Sequence, residues 1–285
     1  DEIARGGGAE QHHANKEYEE AVTDAVEACA EDTEGQTCYI CLEDGSEEGL
    51  VRGCACRGAA GFAHVSCLAE EAKILVAEGD ENNLSEKVQE ERWGRWHNCR
   101  LCEQGYHGLV ACALGWACWK TYLGRPDAGS TRLAAMTRLG NGLMPFHPDG
   151  ALVVYQATVA AYRRFHPRFP SAQLVCQNNI AGCMSSLGRH ADAIVIYRAV
   201  YETRLATYGN SDPDTIISMY NLSASLVKWA EREGKLGSFT SSLPPTRSML
   251  SERIPIDTHR PSDERPAPSA DAITIRASHN EDPLF

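Results

Sequence analysis

Eight residues between Cys38 and Cys102 have the types and spacing of metal ligands, and they fall in four pairs: Cys38 with Cys41, Cys54 with Cys56, His64 with Cys67, and Cys99 with Cys102. Zinc takes four thiolate or imidazole ligands in a tetrahedron. Two ligands one or two residues apart can turn their backbone so that both side chains face one ion. Four pairs therefore supply two complete sites. With four protein ligands each, neither site keeps a position open for water or substrate, so the chemistry is structural rather than catalytic. Disulfides are the competing use of paired cysteines. They belong to secreted chains, nothing here resembles a secretion signal, and a Cys-x-Cys pair is awkward to bridge internally.

The order of four Cys, one His and three Cys resembles the RING-CH (variant RING) family of ubiquitin ligases. The resemblance extends to the run Cys54-Ala-Cys56-Arg-Gly58-Ala-Ala-Gly61-Phe62-Ala-His64-Val-Ser-Cys67-Leu68, where the family's Gly, aromatic and Leu recur at matching offsets. A PHD finger shares the ligand order but has a wider third pair and a shorter step to its His. Both spacings favour RING-CH. The resemblance implies interleaved sites, with Cys38, Cys41, His64 and Cys67 on one zinc and Cys54, Cys56, Cys99 and Cys102 on the other. It also implies a fold of short strands plus a helix. The surface for a ubiquitin-conjugating enzyme would include Ile40, Leu68 and Leu101. Two features depart from the family: a long spacer from Cys67 to Cys99, and Glu71 where a Trp is common, with Trp93 or Trp96 as possible substitutes.

The elements around these ligands follow from composition and periodicity. Residues 1–36 hold eleven acidic and two basic residues, which reads as an acidic, mostly disordered arm, with a short helix possible from Tyr18 to Ala30. The zinc domain spans 37–103. It carries a helical insertion at 68–91, with a break near Gly79 to Asn83. Residues 104–128 form a Cys- and Trp-rich helix and a linker. There Cys112 and Cys118, with His97 or His107, lack paired-ligand spacing and read as core.

From 129 to 232 the sequence repeats with a 42-residue offset. Gly150-Ala151-Leu152-Val153-Val154-Tyr155 aligns with Asp192-Ala193-Ile194-Val195-Ile196-Tyr197, and Asn179-Ile180 with Asn221-Leu222. With Leu187-Gly188 and Tyr208-Gly209 leading into Asp212-Pro213, this resembles the kinesin-light-chain type of tetratricopeptide repeat. The expected helices are 130–140 with 149–165, 171–187 with 190–208, and 213–231. If they stack as such repeats do, Asn178, Asn179 and Asn221 are candidates for holding a peptide. Cys176 and Cys183 read as packed thiols. Residues 233–285, rich in Ser, Pro and charge, read as a disordered tail.

The chain has 285 residues, 27 Lys and Arg against 39 Asp and Glu, and a net charge of −12. That balance argues against a nucleic-acid binder. The longest apolar run, Gly108 to Trp119, is too short to span a bilayer. The chain opens on Asp1 rather than Met, as a fragment would, and its default location is the cytosol, with the nucleus as alternative. The function that emerges is a RING-type ubiquitin-protein ligase. It would hold two structural zinc ions, bind a charged conjugating enzyme through the zinc domain, and bind a substrate or adaptor through the repeats. The alternative is a zinc-folded interaction scaffold without ligase activity; a PHD-type chromatin reader ranks third.

Overall fold

The computed structural model describes residues 2–168, 170–232 and 234. The tail expected over 233–285 lies outside the described residues apart from Gly234. The chain divides into two compact units, residues 1–183 and residues 184 onward.

The first unit begins with α1 (Glu2–Thr33), where the composition pointed to a disordered arm. Its acidic residues from Glu10 to Asp32 are exposed or half-exposed, while Ala14, Ala21 and Ala25 are buried. The helix lies along α4 (Gly108–Tyr122), with Lys120 seated 3.5 Å above the Tyr18 ring and His13 edge-on to Trp116. Net charge favoured disorder, but a stripe of small residues against an apolar helix supplies the burial that holds the segment folded. Buried residues face every side of α4, from Val110 and Cys112 to Cys118 and Tyr122, because α1, α2 and α5 surround it. No described helix is long and apolar enough to cross a membrane.

The insertion after Cys67 is α2 (Val65–Glu81) and α3 (Glu86–Trp93), separated by a break in which Asn83 adopts φ +46°. A 3-10 turn, Gly94–Trp96, follows and delivers Trp96 into a core of Ala72, Ala117, Cys118, Tyr122 and Ala135. Neither tryptophan restores an exposed aromatic on α2: Trp96 is buried and Trp93 packs on Tyr122 with ring centroids 5.5 Å apart. The short strands expected of the zinc domain reduce, among the described residues, to two antiparallel bridges, Val51 with Ala63 and Asn98 with Gly105.

Helices α5 (Ser130–Leu143) and α6 (Pro148–Phe165) belong to this unit as well. The α4–α5 crossing is close. A Cβ on Gly142 would come within 2.7 Å of the Ala111 carbonyl oxygen, and one on Gly140 would meet the Tyr155 ring of α6 at 2.7 Å. Backbone approach of that kind ties α5 to the zinc side of the chain, so the division falls inside α7 (Pro170–Ser186) rather than near residue 128.

The second unit contains α8 (His190–Tyr208) and α9 (Pro213–Arg232). Asp212 caps α9 by accepting the Thr215 N–H at 2.9 Å. Buried Arg204 of α8 donates to the Asp214 carbonyl oxygen at 2.8 Å and to Ser218 Oγ at 3.2 Å, with the Asp214 carboxylate 3.6 Å away.

Candidate metal centres

Cys38, Cys41, His64 and Cys67 form one cluster and Cys54, Cys56, Cys99 and Cys102 another, with the ligand atoms of each within 4.8 Å of one another. The pairs interleave as the resemblance implied. A tetrahedral zinc with bonds near 2.3 Å to sulfur and 2.0 Å to nitrogen places two sulfurs about 3.8 Å apart and a sulfur and nitrogen about 3.5 Å apart. Here Cys56 Sγ lies 3.7 Å from Cys99 Sγ, while His64 Nδ1 lies 3.4 Å from Cys41 Sγ and 3.6 Å from Cys67 Sγ. Two zinc ions fit these donor sets.

Two turns of the same design present the Cys-x-x-Cys pairs. In the first, the Cys38 N–H donates to the Glu43 carbonyl at 2.8 Å, the Leu42 N–H to the Cys38 carbonyl at 2.9 Å, and the Ile40 N–H to Cys38 Sγ at 3.4 Å. In the second, the Cys99 N–H donates to the Gln104 carbonyl and the Glu103 N–H to the Cys99 carbonyl, both at 2.9 Å, and the Leu101 N–H to Cys99 Sγ at 3.4 Å. Each turn closes on a left-handed residue after its second Cys, Leu42 at φ +69° and Glu103 at φ +56°. An N–H aimed at sulfur stabilises the thiolate over the thiol, which is the form a metal binds.

The other ligands are placed by helix α2 and by the loop before it. His64 precedes the first turn of α2 and Cys67 lies within it, and Glu48 Oε1 accepts the Ser66 N–H at 2.8 Å to close that helix end. His64 Nε2 lies 2.9 Å from the Asp44 carbonyl oxygen. A carbonyl only accepts, so Nε2 carries the proton and Nδ1 presents its lone pair to the metal. At the second site, Gly61 adopts φ +85°, and a Cβ there would lie 2.6 Å from Cys56 Cβ and 2.9 Å from its Sγ. Burial pushes the Cys67 thiol up to about 12 and the Cys56 thiol up to about 11. Without metal both are protonated at neutral pH, and loading zinc must release protons.

Of the residues expected to meet a conjugating enzyme, Ile40 and Leu101 each project from one of the two turns and are 36% and 50% exposed. Leu68 does not belong with them. It is 4% exposed, because the face of α2 it occupies is turned into the core with Val65 and Ala72. Leu42, 76% exposed beside Ile40, is a residue that spacing did not single out. Glu71, where an aromatic was expected, pairs with Arg100 at 2.8 Å and so ties α2 to the second turn.

Asn179, expected to meet a peptide, is buried and donates to Asn141 Oδ1 at 3.5 Å, the same oxygen that accepts the Tyr155 hydroxyl proton at 2.5 Å. Its amide is occupied within the helical core. Asn178 and Asn221 are half-buried. Cys112, Cys118, Cys176 and Cys183 are buried, and no third ligand cluster occurs among the described residues.

Comparison with curated proteins and with solved structures finds no significant match. Comparison with protein families matches residues 38–83 to the RING-variant domain, so the match takes in the first six ligands and stops short of Cys99 and Cys102, which the fold brings back to complete the second site.

Proposed function

We propose that the protein is a RING-type ubiquitin-protein ligase that binds a ubiquitin-charged conjugating enzyme through its zinc region. The observation that carries this reading is the pair of interleaved ligand clusters, six of whose eight ligands fall in the RING-variant match, with Ile40 and Leu101 exposed on the turns that present the two Cys-x-x-Cys pairs. Such a domain contributes no nucleophile. A lysine of the target attacks the thioester on the conjugating enzyme, and the zinc domain acts through proximity and orientation.

Substrate or adaptor capture belongs to the helices after residue 129. Its support is the agreement between sequence offset and helix placement: α6 begins at Pro148 and α8 at His190, and Ala151, Tyr155 and Thr158 of α6 are buried as are Ala193, Tyr197 and Val200 of α8. This agreement supports reading the segment as a tetratricopeptide-like repeat. Asn178 and Asn221 remain the candidate peptide contacts on this reading. The cytosol, as the default location, is part of the same proposal.

The scaffold alternative rests on the ion pair Glu71–Arg100, which occupies the place of the family's aromatic beside the contact surface. Autoubiquitination with a panel of conjugating enzymes separates the two. Wild-type chain should build ubiquitin conjugates, and Ile40→Ala should abolish them while retaining two zinc ions. Absence of conjugates with every conjugating enzyme returns the protein to the scaffold reading.

A further inference from the structure

Helix α9 is apolar on the wrong side. Its buried positions include Thr215, Ser218 and Ser225, and it packs on α8, where Ser218 Oγ accepts a hydrogen bond from Arg204. Ile216, Met219 and Val227 are instead 47%, 41% and 43% exposed. With Ser223 between them they recur every three or four residues, so they form one stripe about 16 Å long. An apolar stripe on a helix is ordinarily the face that another element covers.

The chain carries a matching element immediately after α9. The 42-residue offset that relates α6 to α8 continues: Leu152, Tyr155 and Val159 align with Ile194, Tyr197 and Tyr201, and these align with Leu236, Phe239 and Leu243. The position that receives the aromatic repeats as well. Gly140 of α5 meets the Tyr155 ring of α6, where a Cβ would come within 2.7 Å of it. One offset further on stand Gly182 and Tyr197, and one further again Ala224 and Phe239, with the same separation each time.

The connection follows the same plan. Left-handed glycines stand before α8 (Gly188, φ +75°) and before α9 (Gly209, φ +83°), and a third follows α9 (Gly234, φ +66°). Residues 235–243 come next and end at Pro244-Pro245, which cannot continue a helix. Nine residues that include Gly237 and four Ser or Thr are too short and too poor in helix propensity to fold alone, so their composition reads as tail.

We propose that residues 235–243 dock on the exposed stripe of α9 as the second helix of a third, truncated repeat unit. Phe239 lies against Ala224, with Leu236 toward Val227 and Leu243 toward Met219. The methyl group of Ala224 sets this crossing slightly wider than the one at Gly140. The inference rests on the repeat reading proposed above, and it closes the end of the repeat within the chain rather than leaving it to a second copy.

Amide exchange over residues 235–243 of the full zinc-loaded chain tests it. Docking slows exchange there by about tenfold or more, and Phe239→Ser should remove that protection. Changing the other partner, Met219→Ser with Val227→Ser, should remove it equally, and because both side chains are exposed on α9 the variant keeps its fold. The α8 and α9 amides should stay protected throughout. If those amides exchange freely in wild type, the repeat reading itself fails and takes the docking with it. Protected α8 and α9 beside freely exchanging 235–243 overturns the docking alone, as does protection of 235–243 that survives the double change on α9. Protection that appears only as concentration rises, with a doubled mass in sedimentation, assigns the stripe to a second copy and also overturns the proposal.

Discussion

The zinc region and the α4–α6 helices share one compact unit but are held by opposite means. Around the ligands there are turns and isolated bridges, and the order comes from side chains that converge on a point. In α4–α6 the order comes from continuous helices brought together where side chains are missing, at Gly140 and Gly142. A metal-centred fold tolerates irregular backbone but not the loss of one ligand. A close-packed fold tolerates the loss of a single polar contact but not an added methyl group at its crossing.

Removing the metal tests the first half of this contrast and should give the largest effect. Structural zinc contributes on the order of 10–16 kcal/mol to folding in finger peptides, so chelation or Cys41→Ala should abolish amide protection across 38–67 and 97–106. The α5–α6 amides should stay protected. Loss of both at one chelator concentration would show that the two regions fold as a single cooperative unit.

Acidification reaches the same sites by another route. Because burial raises the Cys67 and Cys56 thiols to about 12 and about 11, protons compete for both sulfurs throughout the neutral range. Zinc affinity should therefore fall steadily as pH falls and rise as pH rises, for as long as each thiol must lose its proton to bind. Measured with a chromophoric chelator, an affinity independent of pH between 6 and 8 (roughly the range of these assays) contradicts it.

Gly142→Ala tests the second half. Alanine is about 1 kcal/mol the better helix former, but its Cβ meets the Ala111 carbonyl, and overpacking of this kind costs roughly 1–3 kcal/mol. Net destabilisation of about 1 kcal/mol with zinc content unchanged is expected. Gly61→Ala should do the converse, weakening zinc retention at the second site with little effect on α5–α6. The smallest effect belongs to Arg100→Ala. Arg100 is 65% exposed in its pair with Glu71, so its loss should cost under about 1 kcal/mol by denaturant titration.

What could be read from sequence follows the same division. Ligand identity and grouping were legible because a zinc pair is a local pattern, two residues within a turn, and because the family resemblance supplied the interleaving. The α2–α3 break was legible from its Gly and Asn residues. Helix α1 was not, because its buried face is made of alanines, whose small apolar signal is outweighed by the acidic residues between them. Leu68 was misplaced for a related reason: its offset from Cys67 fixes its position on α2, but only the packing of α2 decides which side of that helix is inside. The unit boundary was hidden too, since the Arg125-Pro126-Asp127 stretch reads as a linker while the α4–α5 crossing beyond it depends on contact between distant segments.

The distribution of the twelve cysteines has an analytical consequence. Seven are zinc ligands, Cys112, Cys118, Cys176 and Cys183 are sealed in the helical core, and Cys29, on α1, is half-exposed. With zinc coordination masking the seven, a thiol-reactive dye applied to the loaded protein should modify Cys29 first. Cys29→Ser would then leave a chain whose native reactivity reports metal occupancy almost directly, each labelled sulfur signalling a vacated coordination position.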